Sequence, residues 1–455
     1  MNRYEAYLPI LQASLRKLDD WRTQFGEEEL VGYTETPQII NIVEKLQERL
    51  EGNYPFHHPQ YAGQMLKPPH PLAWISYALS MTINPNNHAL DGGPPTSEME
   101  KEAVSQLAEM VGYGEEYLGH LTSGGTIANL EALFIARELQ PGKMIAASSR
   151  AHYTHKRMCR VLNTPFYEIP EKNDGSVDWD LLNKHIDKIG TLVVTMGTTG
   201  LGEVEPLARL LPKMKDAGVR VHADAAYGGF FKIIEEQLDS KENWKVLSEA
   251  DSIVIDPHKH GLQPYGCGSV LYKDPSVGKF FRHDSPYTYF TSDDLHLGEI
   301  SLECSRAGAS AAALWATQQL FPLTEDGLGV YLKSTKGAAN LLYKALNSSD
   351  EFECFNNPEL DILGYFPVPC DRKMSEITTL SRKLFSAGVK AAPKDGFHLS
   401  LYNMNAHAFS ATFPDYEADT DTVTILRSVM MKPEHELFIT KLTKRLHTTL
   451  DLCRS

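Results

Sequence analysis

Asp251-Ser252-Ile253-Val254-Ile255-Asp256-Pro257-His258-Lys259-His260-Gly261 runs a short, β-branched segment straight into a turn of polar residues. Residues 252–255 have the length and branching of a strand buried on both faces, and the Pro and Gly that follow bound it. Outward from this point, 144–147, 192–196, 219–223 and 269–272 have the same character, each apolar or β-branched and closed by turn residues. The first three and 252–255 are separated by longer stretches, several with helical spacing, which predicts βαβ units and a largely parallel sheet. Segment 269–272 follows 252–255 closely enough to predict an antiparallel neighbour. Ligands of open parallel sheets bind at the carboxyl ends of the strands. The polar residues after each run are therefore where chemistry is expected.

The flanks are helical in pattern. Leu11, Leu15 and Leu18, then Ile39, Ile40, Ile42, Val43, Leu46 and Leu50, fall near helical spacing. Residues 53–70 and 84–95 are loops by their His, Pro and Gly content, and 98–111 predicts a helix with Thr96 or Ser97 as its N-cap. A small-residue helix over 307–320 leads into a C-terminal part with its own helices and strand-like runs. The expected organisation is an N-terminal helical, dimer-packing segment (1–55), a large domain (56–320) and a small α+β domain (321–455), with no flexible linker between them.

At 455 residues the chain is long enough for such packed lobes, and 42% hydrophobic with 23% charged residues is ordinary for a globular protein. A net charge of −15 disfavours nucleic acid and anionic lipid as partners. The six cysteines show neither metal-ligand spacing nor a disulfide framework, so they read as reduced thiols, and no metal is expected. The N-terminus lacks a signal-type apolar run, and the most apolar window, 72–83, is too short to span a bilayer. These features predict a cytoplasmic protein.

Four stretches carry residue types with chemical uses. Lys259 follows a buried strand, where burial disfavours an ammonium charge, the condition a Schiff-base lysine needs; an isolated lysine more often snorkels to a loop surface. Val219-Arg220-Val221-His222-Ala223-Asp224-Ala225-Ala226-Tyr227-Gly228-Gly229 ends a strand with a carboxylate among small residues. A flat ligand could lie close there, with Asp224 favouring a protonated ring nitrogen; capping the next helix is the equal alternative. Thr122-Ser123-Gly124-Gly125-Thr126 precedes a helix whose free N–H groups would seat a phosphate, although it matches neither a Walker loop nor a dinucleotide fingerprint. His152, in Ser148-Ser149-Arg150-Ala151-His152, could stack on a ring or transfer a proton, though a lone histidine is more often structural.

The order of these motifs (Gly-Gly-Thr, Ala-His, Gly197-Thr198-Thr199, His-Ala-Asp-Ala-Ala-Tyr, Asp-Pro-His-Lys) resembles the group II pyridoxal-phosphate-dependent amino acid decarboxylases from about residue 58 to residue 320. The resemblance implies a fold type I α/β enzyme, with a large mostly parallel sheet domain and a small C-terminal α+β domain, whose small-molecule substrate is an amino acid; the apolar face of the N-terminal helices predicts a homodimer. It implies that Lys259 binds pyridoxal 5'-phosphate covalently, that Asp224 pairs with the pyridinium nitrogen and that His152 stacks on the ring. Gly125, Thr126 and His258 would hold the phosphate, Thr199 would lie near the ring hydroxyl or substrate carboxylate, and Ala226 would pack under the ring. Many relatives have Asn where this chain has Asp256, and an aromatic residue or Met where it has His260.

The expected reaction is α-decarboxylation of an L-amino acid to its amine, with Tyr287 or Tyr289 of Ser285-Pro286-Tyr287-Thr288-Tyr289-Phe290 returning a proton to the α-carbon. Packing of these tyrosines at an interface is the competing reading. Side-chain recognition is expected from Tyr54, Phe56, His57 and Tyr61 with residues of a partner subunit. Another pyridoxal-phosphate lyase, an aldehyde-forming enzyme and a catalytically silent scaffold remain alternatives; the intact Lys259 and Asp224 argue against the last.

Overall fold

The computed structural model describes residues 4–26, 37–282 and 300–454. Seven strands form the main sheet: β1 (Leu118–Thr122), β2 (Met144–Ser148), β3 (Phe166–Ile169), β4 (Ile189–Thr195), β5 (Arg220–Asp224), β6 (Ser252–Ile255) and β7 (Gly268–Tyr272). Their order is β1-β7-β6-β5-β4-β2-β3. The run from β6 to β3 is parallel, and β7 alone opposes both its neighbours, β6 and β1. The five strands read from the sequence are all present, and 269–272 is the expected antiparallel neighbour. The edge strands β1 and β3 are additions.

Burial on both faces explains the continuous apolar runs. Ile253, Val254 and Ile255 are fully buried, each stabilising the sheet by about 1.5–3 kcal/mol relative to an exposed side chain. Helices α1 (Leu8–Thr23), α2 (Pro37–Leu50), α3 (Pro71–Met81), α4 (Pro94–Val111), α5 (Gly125–Leu139) and α6 (Thr154–Val161) lie in the N-terminal half. The predicted cap of α4 is corrected. The helix starts earlier, at Pro94, because a proline in the first turn sacrifices no hydrogen bond, and its N-cap is Gly93. Thr96 Oγ1 instead donates to Asn87 Oδ1 at 2.6 Å, and both Thr96 and Ser97 are buried within the helix.

A second sheet, antiparallel and ordered β10-β11-β9-β8, comprises β8 (Phe352–Cys354), β9 (Ile362–Pro367), β10 (Ser400–Asn405) and β11 (Thr422–Val429). The helices Gly329–Asn347 and Met374–Lys390 pack on it, and Glu434–Arg454 packs on those two helices. One apolar cluster joins the two sheets, since Leu360, Ile362, Val429 and Met431 pack with the core of the large sheet. By contrast, Ile39, Ile40, Ile42, Val43, Leu46 and Leu50 of α2 are all more than half exposed. The six cysteines are unpaired. Among the described residues, no helix is long and apolar enough to cross a membrane.

Candidate active site

The carboxyl ends of β1, β2, β4, β5 and β6 converge on one cavity of about 320 Å³. Each supplies one of the stretches singled out in the sequence. Gly125 and Thr126 follow β1, His152 follows β2, Thr199 follows β4, Asp224 ends β5 with Ala226 beyond it, and His258 and Lys259 follow β6. All eight line this cavity. Tyr287 and Tyr289 lie outside the described residues.

Helix α5 opens onto the cavity with Gly124 as its N-cap, at φ +142°, and no side chain caps it. Its free N–H groups and positive dipole end are therefore available to an anion. Gly125 is demanded by a close approach, since a Cβ there would lie 2.6 Å from Asp256 Oδ2. Asp256 is buried, and that same oxygen is 3.1 Å from Lys259 Nζ and 3.6 Å from His258 Nε2. The lysine thus leaves its strand into a polar surrounding, 20% exposed and facing a carboxylate, rather than into an apolar slot.

In the same cavity, Asp224 is buried and accepts from His155 Nε2 at 2.8 Å and from the Ala226 N–H at 3.2 Å. Burial acts to raise its pKa. The His155 hydrogen bond, helped by the favourable electrostatics of its His155, His222 and Lys259 surroundings, outweighs burial and holds the carboxyl well below the usual carboxylate range. Burial lowers His152, partly offset by Asp224, which favours the neutral ring. The Thr154 N–H, 3.3 Å from His152 Nδ1, assigns the acceptor role to that nitrogen. Burial likewise lowers His258, whose Nδ1 lies 2.8 Å from the Cys267 carbonyl.

Behind these groups is a layer the sequence reasoning missed. Asn129 donates Nδ2–H to the Gly125 carbonyl at 2.8 Å and accepts at Oδ1 from His222 Nε2 at 2.8 Å, while Ser252 Oγ meets His222 Nδ1 at 2.8 Å. Burial lowers His222 to about 3, so its neutral ring ties α5 to β5 and β6. Arg427 of β11 donates to the Thr199 and Gly200 carbonyls, both at 2.6 Å, fixing the turn after β4 from the second sheet. Tyr227, also at the cavity, donates its hydroxyl to Asp361 Oδ1, and His260 Nε2 is 3.3 Å from Asp361 Oδ2. Burial raises the Asp361 carboxyl to about 6. Helical spacing could have pointed to Asn129, four residues after Gly125 on α5. Arg427 and Asp361 are brought in only by the tertiary fold. Tyr54, Phe56 and His57 border a separate cavity with Gln60 and His398, and Tyr61 is buried with its carbonyl accepting from Lys432 Nζ.

The family model for the pyridoxal-dependent decarboxylase conserved domain matches residues 41–365, well over half of the chain. The chain belongs to this decarboxylase family. The match extends past both ends of the 58–320 span read from the motifs. The decarboxylase is 26% identical to an L-tyrosine decarboxylase of Enterococcus faecium over 83% of this chain and 82% of that protein. It is 30% identical to a probable L-tyrosine/L-aspartate decarboxylase of Methanopyrus kandleri over 58% of this chain and 70% of that one. Its fold is shared with the Catharanthus roseus tryptophan decarboxylase solved with L-tryptophan, at a TM-score of 0.76, 16% identity and coverage of 98% of each chain. The decarboxylase is a pyridoxal-phosphate-dependent carboxy-lyase of amino acids. The cavity fits that cofactor on its own terms, presenting a primary amine, a buried ionised carboxylate and an uncapped helix N-terminus.

Proposed function

We propose that this cavity removes the α-carboxyl of an L-amino acid to release the amine, with Lys259 as the covalent anchor of pyridoxal phosphate. The observation that carries the reading is the meeting of Lys259, Asp224 and the open end of α5 around one cavity. When bound, the cofactor supplies an electron sink for the pair left by the departing carboxylate. Asp224 would face the ring nitrogen and favour its protonated form. Gly125 and Thr126, with His258 alongside, would seat the phosphate at the α5 dipole. His152 and Ala226 would bound the two ring faces, the neutral histidine stacking without adding charge. Thr199, held from behind by Arg427, would meet the ring hydroxyl or the substrate carboxylate. Tyr287 or Tyr289 would return the proton to the α-carbon.

The exposed apolar face of α2 supports a two-fold homodimer in which that face is covered. Six unpaired cysteines support a reducing compartment, the cytoplasm. The test is incubation of the cofactor-loaded protein with each of the twenty amino acids and with diaminobutyrate, scoring amine release, alongside sedimentation. Borohydride reduction should fix the cofactor on the peptide containing Lys259. A label on any other peptide overturns the anchor, a fully active monomer overturns the dimer, and aldehyde in place of amine overturns the reaction.

A further inference from the structure

The segment after β2 sets one histidine on the cavity wall and a second against the Asp224 carboxylate. His152 lines the cavity, and His155, three residues later in the first turn of α6, lies behind Asp224 with Nε2 2.8 Å from Oδ2. Both partners are buried, the His155 side chain 1% and the Asp224 side chain 7% exposed. Nδ1 of His155 has no hydrogen-bond partner among the described residues. The ring is therefore oriented through one hydrogen bond, and that bond goes to Asp224. A buried carboxylate without donors is costly, and among the described residues the backbone donor is the Ala226 N–H, at 3.2 Å to Oδ1.

We propose that His155 is a positioning residue for the decarboxylation. Its Nε2–H on Oδ2, with the Ala226 N–H on Oδ1, fixes the plane of the Asp224 carboxylate and so sets the direction in which its remaining lone pairs meet the cofactor's ring nitrogen. This rests on the reading that Asp224 meets that nitrogen. A core histidine that merely filled space would keep its effect when replaced by a ring of similar size; a positioning histidine would not. The other titratable groups facing Asp224 are His222 and Lys259, with His152 at the cavity wall, and all three remain in the variants below.

The test compares His155→Phe, which keeps the ring volume and removes the donor, with His155→Gln, whose amide can donate to Oδ2, and with Asp224→Asn. His155→Leu substitutes for the phenylalanine variant if that one fails to fold. Each apoprotein is titrated with pyridoxal phosphate by quenching of intrinsic fluorescence, and the visible absorbance of each holoprotein is followed against pH. The expected result is an affinity about tenfold weaker and an absorbance midpoint moved by roughly half a unit or more in the phenylalanine variant. The glutamine variant should return to within about threefold of wild type. A phenylalanine variant matching wild type in both readouts, while Asp224→Asn alters both, overturns the role of His155 alone. Equal losses in the phenylalanine and glutamine variants also overturn it. An unaltered Asp224→Asn protein overturns the ring-nitrogen reading beneath it.

Discussion

Asp256 Oδ2 lies 3.1 Å from Lys259 Nζ, and it also sits where any side chain on Gly125 would have to go. One carboxylate thus serves the amine while standing beside the proposed phosphate seat. Replacing it as Asp256→Asn keeps the shape and removes a charge that repels an anion. Affinity of the apoprotein for pyridoxal phosphate should rise by about threefold to tenfold, measured by fluorescence titration. A weaker or unchanged affinity would mean that pairing with Lys259 matters more than the repulsion.

Asp224 should tolerate no neutral apolar replacement. Loss of its carboxylate removes the charge that favours a protonated ring, and Asp224→Ala should lose at least ~10³-fold in kcat/KM, or about 4 kcal/mol. The assay is run at saturating cofactor, so that weak binding does not imitate the effect. A variant that keeps most of its activity under those conditions would show that the ring is anchored otherwise.

The tyrosine pair makes a prediction about products rather than rate alone. A positioned phenol assists proton return by about 10²–10⁴-fold, and without it a side reaction with dioxygen gains ground. Either Tyr287→Phe or Tyr289→Phe, but not both, should slow amine release and raise aldehyde output in air. We favour Tyr289. Product analysis under air and under nitrogen decides it, and an unchanged amine-to-aldehyde ratio in both variants would return the two tyrosines to a packing role.

Glu205 is a carboxylic acid sealed behind the cavity wall, bonded to Ser148 Oγ and accepting from the Thr195 N–H at 2.7 Å. Burial raises it to about 7, against an ordinary 4.5, despite those hydrogen bonds. The folded chain holds this proton more tightly than the unfolded one. Its stabilising contribution is fully present below about pH 4.5 and is lost as pH rises through 7. Glutamine mimics the protonated acid at every pH. Glu205→Gln should therefore be the more stable protein above pH 7, by up to roughly 3 kcal/mol, with the gap closing in acid. Urea melts at about pH 5 and about pH 8 measure it; a gap that ignores pH would put the proton elsewhere.

The sequence made the inner strands legible because burial on both faces left them mostly apolar or β-branched. It hid β1, which carries Gly119 and a buried His120 paired with Glu131 at 2.7 Å, and β3, an edge strand buried only at Ile169. The cavity residues were legible because each stands just after a strand. Their supports were not. His155 reads as one more polar residue of a helix until the fold sets it against Asp224, and Arg427 reaches Thr199 across more than two hundred residues. Chain separation of that size leaves no local trace.

The reversal of β7 has a mechanical consequence. Because β7 runs against β6, the polypeptide leaves the sheet at Asp256 and re-enters it at Gly268, at the same end. The Lys259 segment is clamped at both margins, and its His258 N–H is bonded at 3.0 Å to the Cys267 carbonyl across the gap. Amide exchange at His258 should then be as slow as in the strands themselves, so opening to admit substrate and free product falls to other parts of the wall. The lysine is the fixed jaw of a vice, and Arg427 and Asp361 hold the wall that faces the second sheet.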